Sequence, residues 1–216
     1  MLEEKQIEDN FNKYIDLIKT NVKREGVENL INYLINSDLK IAPASTKYHN
    51  SFKGGLVAHC LDVYNRLNQL VKMEYPTFVI EGHEMKEVDD YVCPISQESI
   101  VIVALLHDIS KVNFYEILER NTKDAQGNWV KVPYYQVKDE AHRFIMGSHS
   151  MNSLYMVSKL IKLKYDEELA ILHHMGGIDV TEDTISAKNT LEAYKKSKLA
   201  LFTHFADMLA TAVDEA

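Results

Sequence analysis

Hydrophobic residues recur every three or four positions along most of this chain, a spacing typical of amphipathic helices. Between these segments, prolines and glycines interrupt the pattern, most densely in residues 74–97, which are expected to be irregular. The predicted helices cover about residues 2–22, 27–34, 56–73, 99–111, 166–175 and 189–213, with one more beginning after Gly147. The pattern therefore predicts a mainly α protein, with residues 1–40 forming N-terminal packing helices.

The stretch Ser99–Lys111 differs from the other helices because it has no polar face. Seven apolar residues, Ile100–Leu106, follow one another, which predicts burial on every side. His107, Asp108 and Lys111 come directly after them. Buried ionisable groups cost free energy unless they are paired or bound to a metal ion. For an isolated His-Asp pair, a core histidine beside a capping aspartate is the commoner explanation.

Residues 114–137 follow a strand-like pattern. The segments FYEILER and WVKVPYYQV are rich in aromatic and β-branched residues, and they flank the turn-forming NTKDAQGN. These features predict a β-hairpin inserted into a helical body. Since no composition shift divides the chain, residues 1–216 are expected to form a single domain.

Composition and charge limit the classes of function. Hydrophobic residues make up 46% and charged residues 26%, as in soluble globular proteins. The net charge of −8 argues against an extended nucleic-acid surface. Cys60 and Cys93 form no disulfide or zinc spacing, and no apolar run is long enough to cross a membrane. A cytoplasmic protein without membrane contact is expected.

Five of the nine histidines fall on or beside apolar helix faces, and two aspartates occupy similar places. A lone inward histidine is usually a core residue. Several together are better explained by a shared metal ion, because one ion satisfies all of them at once. Imidazole with carboxylate suits Mn²⁺, Fe, Co²⁺, Ni²⁺ or Zn²⁺, and Mg²⁺ is left open. These candidate groups are His59, His107, Asp108, His149, His174, His204 and Asp207.

Three motifs resemble those of the HD-domain metal-dependent phosphohydrolases. GGLVAH is similar to the motif of the first histidine, LLHDISK to the His-Asp segment and HFADMLAT to the motif of the last aspartate. His149 in GSHS and His174 in HHMGG match the further histidines of members with two metals. Two positions depart from the family: Ser110 stands where glycine is commoner, and Met175 stands where a second histidine is usual. His173 therefore remains an additional candidate.

The resemblance implies an HD-domain helical bundle that hydrolyses a small phosphate ester, with a nucleotide as the expected substrate. It implies metal ligands at His59, His107, Asp108, His149, His174 and Asp207, with about two metal ions per chain and Asp108 between them. Asp108 and Lys111 are the expected catalytic residues. Weaker candidates for support or phosphate binding are His49, Lys53, Arg143, His173 and His204, while His83 and His142 are expected at the surface.

Alternatives remain open at this point. The segment APASTKYHNSFKGGLVAH also resembles the HD domain of bacterial 3′→5′ exoribonucleases, although the helical pattern before it does not predict their OB domain. A 3′→5′ exonuclease on short single strands and a non-catalytic metal-binding module are the competing functions, with di-iron oxygenase chemistry as a minor one. Tyr115, Trp129, Tyr134 and Tyr135 are available to stack on a base or to pack the hairpin, and a homodimer is left open.

Overall fold

The computed structural model describes residues 2–76, 78–81, 84–87, 93–176 and 184–215. Within them the fold is mainly helical, as predicted, with two separate antiparallel strand pairs. The helices are α1 (Glu4–Asn21), α2 (Val27–Ile35), α3 (Gly55–Glu74), α4 (Gln97–Leu106), α5 (His149–Ser158), α6 (Tyr165–His173), α7 (Thr184–Lys196) and α8 (Lys198–Leu209). The strands are β1 (Phe78–Glu81), β2 (Glu84–Glu87), β3 (Tyr115–Lys123) and β4 (Trp129–Val137).

Helix α4 lies at the centre of the bundle. Every residue from Ser99 to Leu106 is buried, as expected for a helix without a polar face. The Ser96 hydroxyl caps its N-terminus by accepting from the backbone N–H of Ser99. Helices α3, α1, α6 and α8 pack against it. The helix ends at Leu106, earlier than the predicted Lys111, and a 3₁₀ turn over Ile109–Lys111 follows.

Helix α3 begins where two glycines allow the backbone to turn closely. Gly54 adopts a φ of 81°, in the left-handed region that favours glycine. A Cβ on Gly55 would lie 2.0 Å from the carbonyl oxygen of Asn50, so no other residue fits there. The pair therefore fixes the start of the helix and, one turn later, the direction of His59.

The predicted hairpin at 114–137 is confirmed as β3 and β4. The two strands pair from Tyr115 opposite Val137 to Lys123 opposite Trp129, and Gly127, with a φ of 85°, lies in the turn between them. The expectation that residues 74–97 are irregular was wrong in part, because β1 and β2 pair there with Phe78 opposite Glu87. Two strands of four residues are too short for the sequence pattern to reveal.

No helix in the described part of the chain is long and apolar enough to cross a membrane.

Candidate metal centre

His59 is carried by the buried face of α3. Its side chain is 1% exposed, and its Nε2 points toward α4 and α8. On the other side of the ring, Nδ1 lies 2.7 Å from the Glu215 carboxylate. A carboxylate can only accept a hydrogen bond, so Nδ1 carries the proton and the Nε2 lone pair faces inward.

The end of α4 supplies His107 and Asp108. The Tyr14 hydroxyl donates to the carbonyl of Leu105 and ties this end of the helix to α1. His107 Nδ1 donates to the Ala104 carbonyl at 2.9 Å, which leaves its Nε2 as a lone pair 3.2 Å from Nε2 of His59. The helix ends at this point, and the backbone of Asp108 leaves the helical conformation, with a φ of −109°.

Asp108 lies between two pairs of histidines. Its Oδ2 is 3.6 Å from Nε2 of both His59 and His107. Its Oδ1 is 2.5 Å from Nε2 of His149 and 3.4 Å from that of His174. The carboxylate is 2% exposed, and Oδ1 accepts no hydrogen bond although it is buried. A buried carboxylate oxygen without a hydrogen bond is stabilised by a cation bound next to it.

His149 and His174 come from α5 and from the end of α6. His149 is the first residue of its helix, and its Nδ1 lies 3.0 Å from the Ser110 hydroxyl. That hydroxyl donates to the His149 carbonyl, so Nδ1 of His149 donates to the hydroxyl oxygen. His174 Nδ1 donates to the Ile171 carbonyl at 2.7 Å. The two Nε2 lone pairs therefore face each other, 3.2 Å apart.

Helix α8 contributes Asp207, whose Oδ1 lies 3.3 Å from Nε2 of His59. The side chain is 13% exposed and borders a pocket. Three overlapping groups of these side chains bring potential ligand atoms within 4.8 Å of one another. They are His59, His107 and Asp108; His107, His174 and Asp207; and Asp108, His149 and His174.

The donor set fits divalent transition metals. Four imidazole lone pairs and two carboxylates converge, and a hydrogen bond on the far side of each ring fixes its tautomer. Metal-binding histidines characteristically make such an outer hydrogen bond. Without a metal ion, two facing ring nitrogens avoid repulsion only where one of them takes up a proton. The arrangement therefore fits a metal ion better than it fits core histidines paired one by one.

The electrostatics of the apoprotein point the same way. Burial, the largest influence, together with the neighbouring rings of His174 and His59, lowers the pKa of His107 to about 3 although Asp108 opposes it. Burial would also lower the pKa of His59, but Asp207 and Glu215 raise it to about 10. Burial would raise the pKa of Asp108, but Lys111 and His149 hold it well below its usual value. The cluster thus keeps Asp108 ionised and, without a metal ion, holds a second proton on His59 at the nitrogen that would otherwise bind the metal.

Lys111 is held inside the centre rather than at the surface. Its Nζ lies 2.6 Å from Oδ2 of Asp108, and the side chain is 15% exposed. Burial would lower the pKa of Lys111, but Asp108 raises it above its usual value. The lysine is therefore a fixed cation at the centre.

Two pockets adjoin the centre, and Lys111 lines both. The first has a volume of about 290 Å³, and its lining is mostly apolar, with Met175 and Met208 among its walls beside Asp108 and Asp207. The second, of about 340 Å³, lies on the side of His149. Both spaces border candidate metal ligands, Asp108 and Asp207 in the first and His149 in the second.

Two of the additional candidates lie close to His174. His204 Nδ1 donates to the His174 carbonyl at 2.6 Å, and its ring stacks on Tyr194. A Cβ on Gly176 would lie 2.5 Å from the His204 ring, so glycine is needed there for close approach. His173 Nδ1 instead lies 3.1 Å from the Thr190 hydroxyl. Neither His173 nor His204 belongs to the groups with metal-ligand geometry, so a supporting role for His204 remains a proposal.

The remaining candidates are spread more widely. His49 is the exception: it is half-buried beside His59, it forms a further group of potential ligand atoms with His59 and Glu215, and its buried Nε2 lacks a hydrogen bond. Lys53 pairs with Glu4 at the surface, 2.6 Å away, and His142 pairs with Asp139 on an exposed turn. Arg143 lines the second pocket. His83 lies outside the described residues.

The hairpin aromatics are not all near the centre. Tyr115 lines the second pocket. Trp129 lies opposite Lys123, which is eight residues from Tyr115 along β3. That is about 26 Å along the strand. Trp129 and Tyr134 also lie under the cations of Lys123 and Arg120. Trp129 is therefore too far from the centre to stack on a ligand there, whereas Tyr115 lines the pocket; Tyr134 and Tyr135 are not among the residues that line the two pockets.

Sequence reasoning missed two contributors to this site. Glu215 orients His59 from the end of the chain, and Ser110 orients His149. Ser153 donates to the Ser110 hydroxyl and holds it in place. A serine where the family favours glycine was a visible signal, because a hydroxyl beside a ligand can accept its Nδ1–H. Nothing in the sequence indicated Glu215.

Comparison with known proteins agrees with this geometry. No curated protein and no solved structure matches the chain. Nothing in these comparisons supports a closer relation to the exoribonucleases. A family model described as HD domain matches residues 56–212, which include all six convergent side chains. The chain therefore belongs to the HD domain family.

Proposed function

We propose that this protein is a phosphohydrolase that uses two divalent metal ions and acts on a small phosphate ester, with a nucleotide as the expected substrate. HD domains are typically metal-dependent hydrolases, which supports the reaction class. The observation that carries the two-metal proposal is the position of Asp108, whose two oxygens face different pairs of histidines.

The ligands divide between the two sides of Asp108. On the Oδ2 side, His59, His107 and Asp207 would complete the first metal site. On the Oδ1 side, His149 and His174 would complete the second. His174 also lies within ligand range of His107 and Asp207, so the two proposed sites adjoin each other at His174. Asp108 bridges them in this proposal.

The metal ions would supply a water of lowered pKa as nucleophile and would neutralise charge on the phosphoryl oxygens. The chain's own residues do the rest. Lys111 offers an ammonium group at the junction of both pockets, where it can hold a phosphate oxygen and keep Asp108 ionised. Met175 and Met208 add apolar walls beside these groups, which lowers the local dielectric and strengthens these interactions.

The size and charge of the molecule favour a small substrate. A pocket of about 290 Å³ accommodates a group the size of a nucleoside rather than a polymer. Its apolar lining suits a base, while the net charge of −8 gives little attraction for a long polyanion. Lys111 and bound metal ions act on phosphate locally, where their own charge dominates.

The test compares substrates of different length. Protein loaded with Mn²⁺ is assayed for kcat/KM on a mononucleotide, a dinucleotide and a 20-mer of RNA at one salt concentration. The mononucleotide and the dinucleotide are expected to be the better substrates, Asp108→Asn to be inactive, and the surface control His142→Ala to match wild type. Higher efficiency on the 20-mer would favour the exonuclease, and tight metal binding without turnover of any substrate would favour a non-catalytic module.

A further inference from the structure

The second pocket is lined by two cationic side chains and by no acidic one. Its nine lining residues include Lys111 and Arg143, and none of the nine is aspartate or glutamate. Tyr115, Asn152 and Ser110 add polar side chains to the same wall. In a chain with eight more acidic than basic residues, a pocket lined by two cations and no carboxylate is suited to an anion.

Arg143 enters this pocket without a firm partner. Its guanidinium lies over the Phe114 ring, 5.6 Å from the centroid, and its Nε is buried with no hydrogen bond. Among the described residues its ion-pair partner is Glu140, 3.8 Å from Nη2 and 86% exposed, which is a weak pair. Leaving a buried N–H of a charged group without an acceptor costs free energy.

Two other arginines show what a satisfied guanidinium looks like in this protein. Arg24 donates from both terminal nitrogens to Glu167, at 2.6 Å each. Arg66 donates from Nε and Nη2 to the carboxylate of Asp214. Arg143 has the same planar set of donors but lacks such a carboxylate. A phosphate group matches this set in the same two-pronged way.

The pocket is continuous with the metal centre. His149 lines it and also faces Asp108 across 2.5 Å. Lys111 lines it and pairs with the other oxygen of Asp108. An anion held by Arg143 therefore lies beside the second group of metal ligands rather than at a remote surface.

We propose that Arg143 and the second pocket bind a second phosphate of the substrate, next to the phosphate held at the metal centre. This inference rests on the proposed function and narrows it to esters that carry linked phosphates, such as nucleoside diphosphates and triphosphates. Arg143 is then a specificity-determining residue. The Phe114 ring, 5.6 Å from the guanidinium, supports that group at the pocket.

Binding is measured first, because it needs no turnover. Calorimetry of the metal-loaded protein with ADP and with AMP, at a fixed free metal concentration, compares wild type with Arg143→Gln. Wild type is expected to bind ADP more tightly than AMP. The variant is expected to lose affinity about tenfold or more for ADP and little for AMP, since it loses charge-assisted hydrogen bonds to the second phosphate. Arg143→Lys, which keeps the charge without the planar donors, falls between.

Arg120→Gln is the matched control. Arg120 also lies over an aromatic ring, that of Tyr134 at 5.7 Å, but on the hairpin outside the pocket. It is expected to keep wild-type affinity for both nucleotides. Equal losses for ADP and AMP in Arg143→Gln, or no loss for either, would overturn the proposal. An unchanged melting temperature in the variant excludes misfolding as the cause.

The hydrolysis assay separates this inference from the proposed function. If ADP binds through Arg143 but neither nucleotide is hydrolysed, the phosphate subsite stands and the enzymatic proposal fails. If both are hydrolysed with a kcat/KM ratio that Arg143→Gln leaves unchanged, the enzymatic proposal stands and the subsite fails.

Discussion

The Glu215 carboxylate lies 2.7 Å from Nδ1 of His59, although 156 residues separate them in the chain. Glu215 follows a short π-helix over Ala210–Asp214 that continues α8. The neighbouring Asp214 is tied to Arg66 of α3. The chain end is therefore fastened along α3, and its last described side chain fixes the ring of a candidate metal ligand.

This contact predicts that Glu215 supports metal binding without touching the metal. Glu215→Ala removes the acceptor that sets the tautomer of His59, and we expect metal affinity to fall about 10- to 100-fold. Glu215→Gln keeps a neutral acceptor and should lose less. Competition with a fluorescent chelator measures both, and Glu192→Gln, on an exposed turn of α7, is the control. Wild-type affinity in Glu215→Ala would show that the contact is incidental.

The number of metal ions bound per chain tests whether each side of Asp108 holds one ion. Wild-type protein purified without chelator is expected to hold about two metal ions per chain by elemental analysis. The double variant His149→Ala, His174→Ala removes the ligands on the Oδ1 side and should leave about one. A wild-type value near one that the double variant does not change would contradict the two-metal proposal.

Asp108 and Lys111 form a buried ion pair, so removing one member is expected to destabilise the protein more than removing both. Asp108→Asn should abolish metal binding and hydrolysis, and it leaves the Lys111 ammonium without its partner at 2.6 Å. Breaking a buried pair costs about 3–5 kcal/mol, while replacing both members costs less. Asp108→Asn, Lys111→Met is therefore expected to be more stable than Asp108→Asn alone, measured by urea unfolding in the presence of EDTA. Equal stability of the two variants would mean that solvent screens the lysine.

Local pattern was enough to predict the helices and the hairpin, because apolar spacing reports directly on which face is buried. The motifs also marked the side chains that the structure brings together, from His59 to Asp207. The strand register of the hairpin and the contact of Glu215 with His59 could not be predicted. Trp129 lies far from the pocket because strand pairing places it opposite Lys123, and Glu215 reaches His59 only through tertiary packing. Neither relation leaves a trace in local sequence.

The buried ion pair of Arg24 and Glu167 predicts a pH dependence of stability that is separate from the metal centre. The Glu167 side chain is fully buried, and it accepts from both terminal nitrogens of Arg24, from the Ser99 hydroxyl at 2.7 Å and from the backbone N–H of Lys164. Burial alone would raise the pKa of Glu167, but these donors, with Arg24 first, hold it below its usual value.

The lowered pKa of Glu167 determines how its contribution to stability changes with pH. Because the folded-state pKa of Glu167 lies below the unfolded value of about 4.3, its contribution is fully present above that pH. It is lost as the pH falls through the folded-state value. Glu167→Gln is expected to lower the free energy of unfolding by about 3 kcal/mol at pH 7, and the difference from wild type should shrink below about pH 4.

Urea unfolding of both proteins from pH 7 to pH 3, with EDTA present throughout, measures this difference without interference from metal release. Glu119→Gln removes one member of the exposed pair with Lys131 and is the control, since surface pairs contribute about 0–1 kcal/mol. It should stay close to wild type at every pH. A Glu167→Gln deficit that stays constant down to pH 3 would show that the effect comes from packing rather than charge, because only the ionised carboxylate is lost with acid.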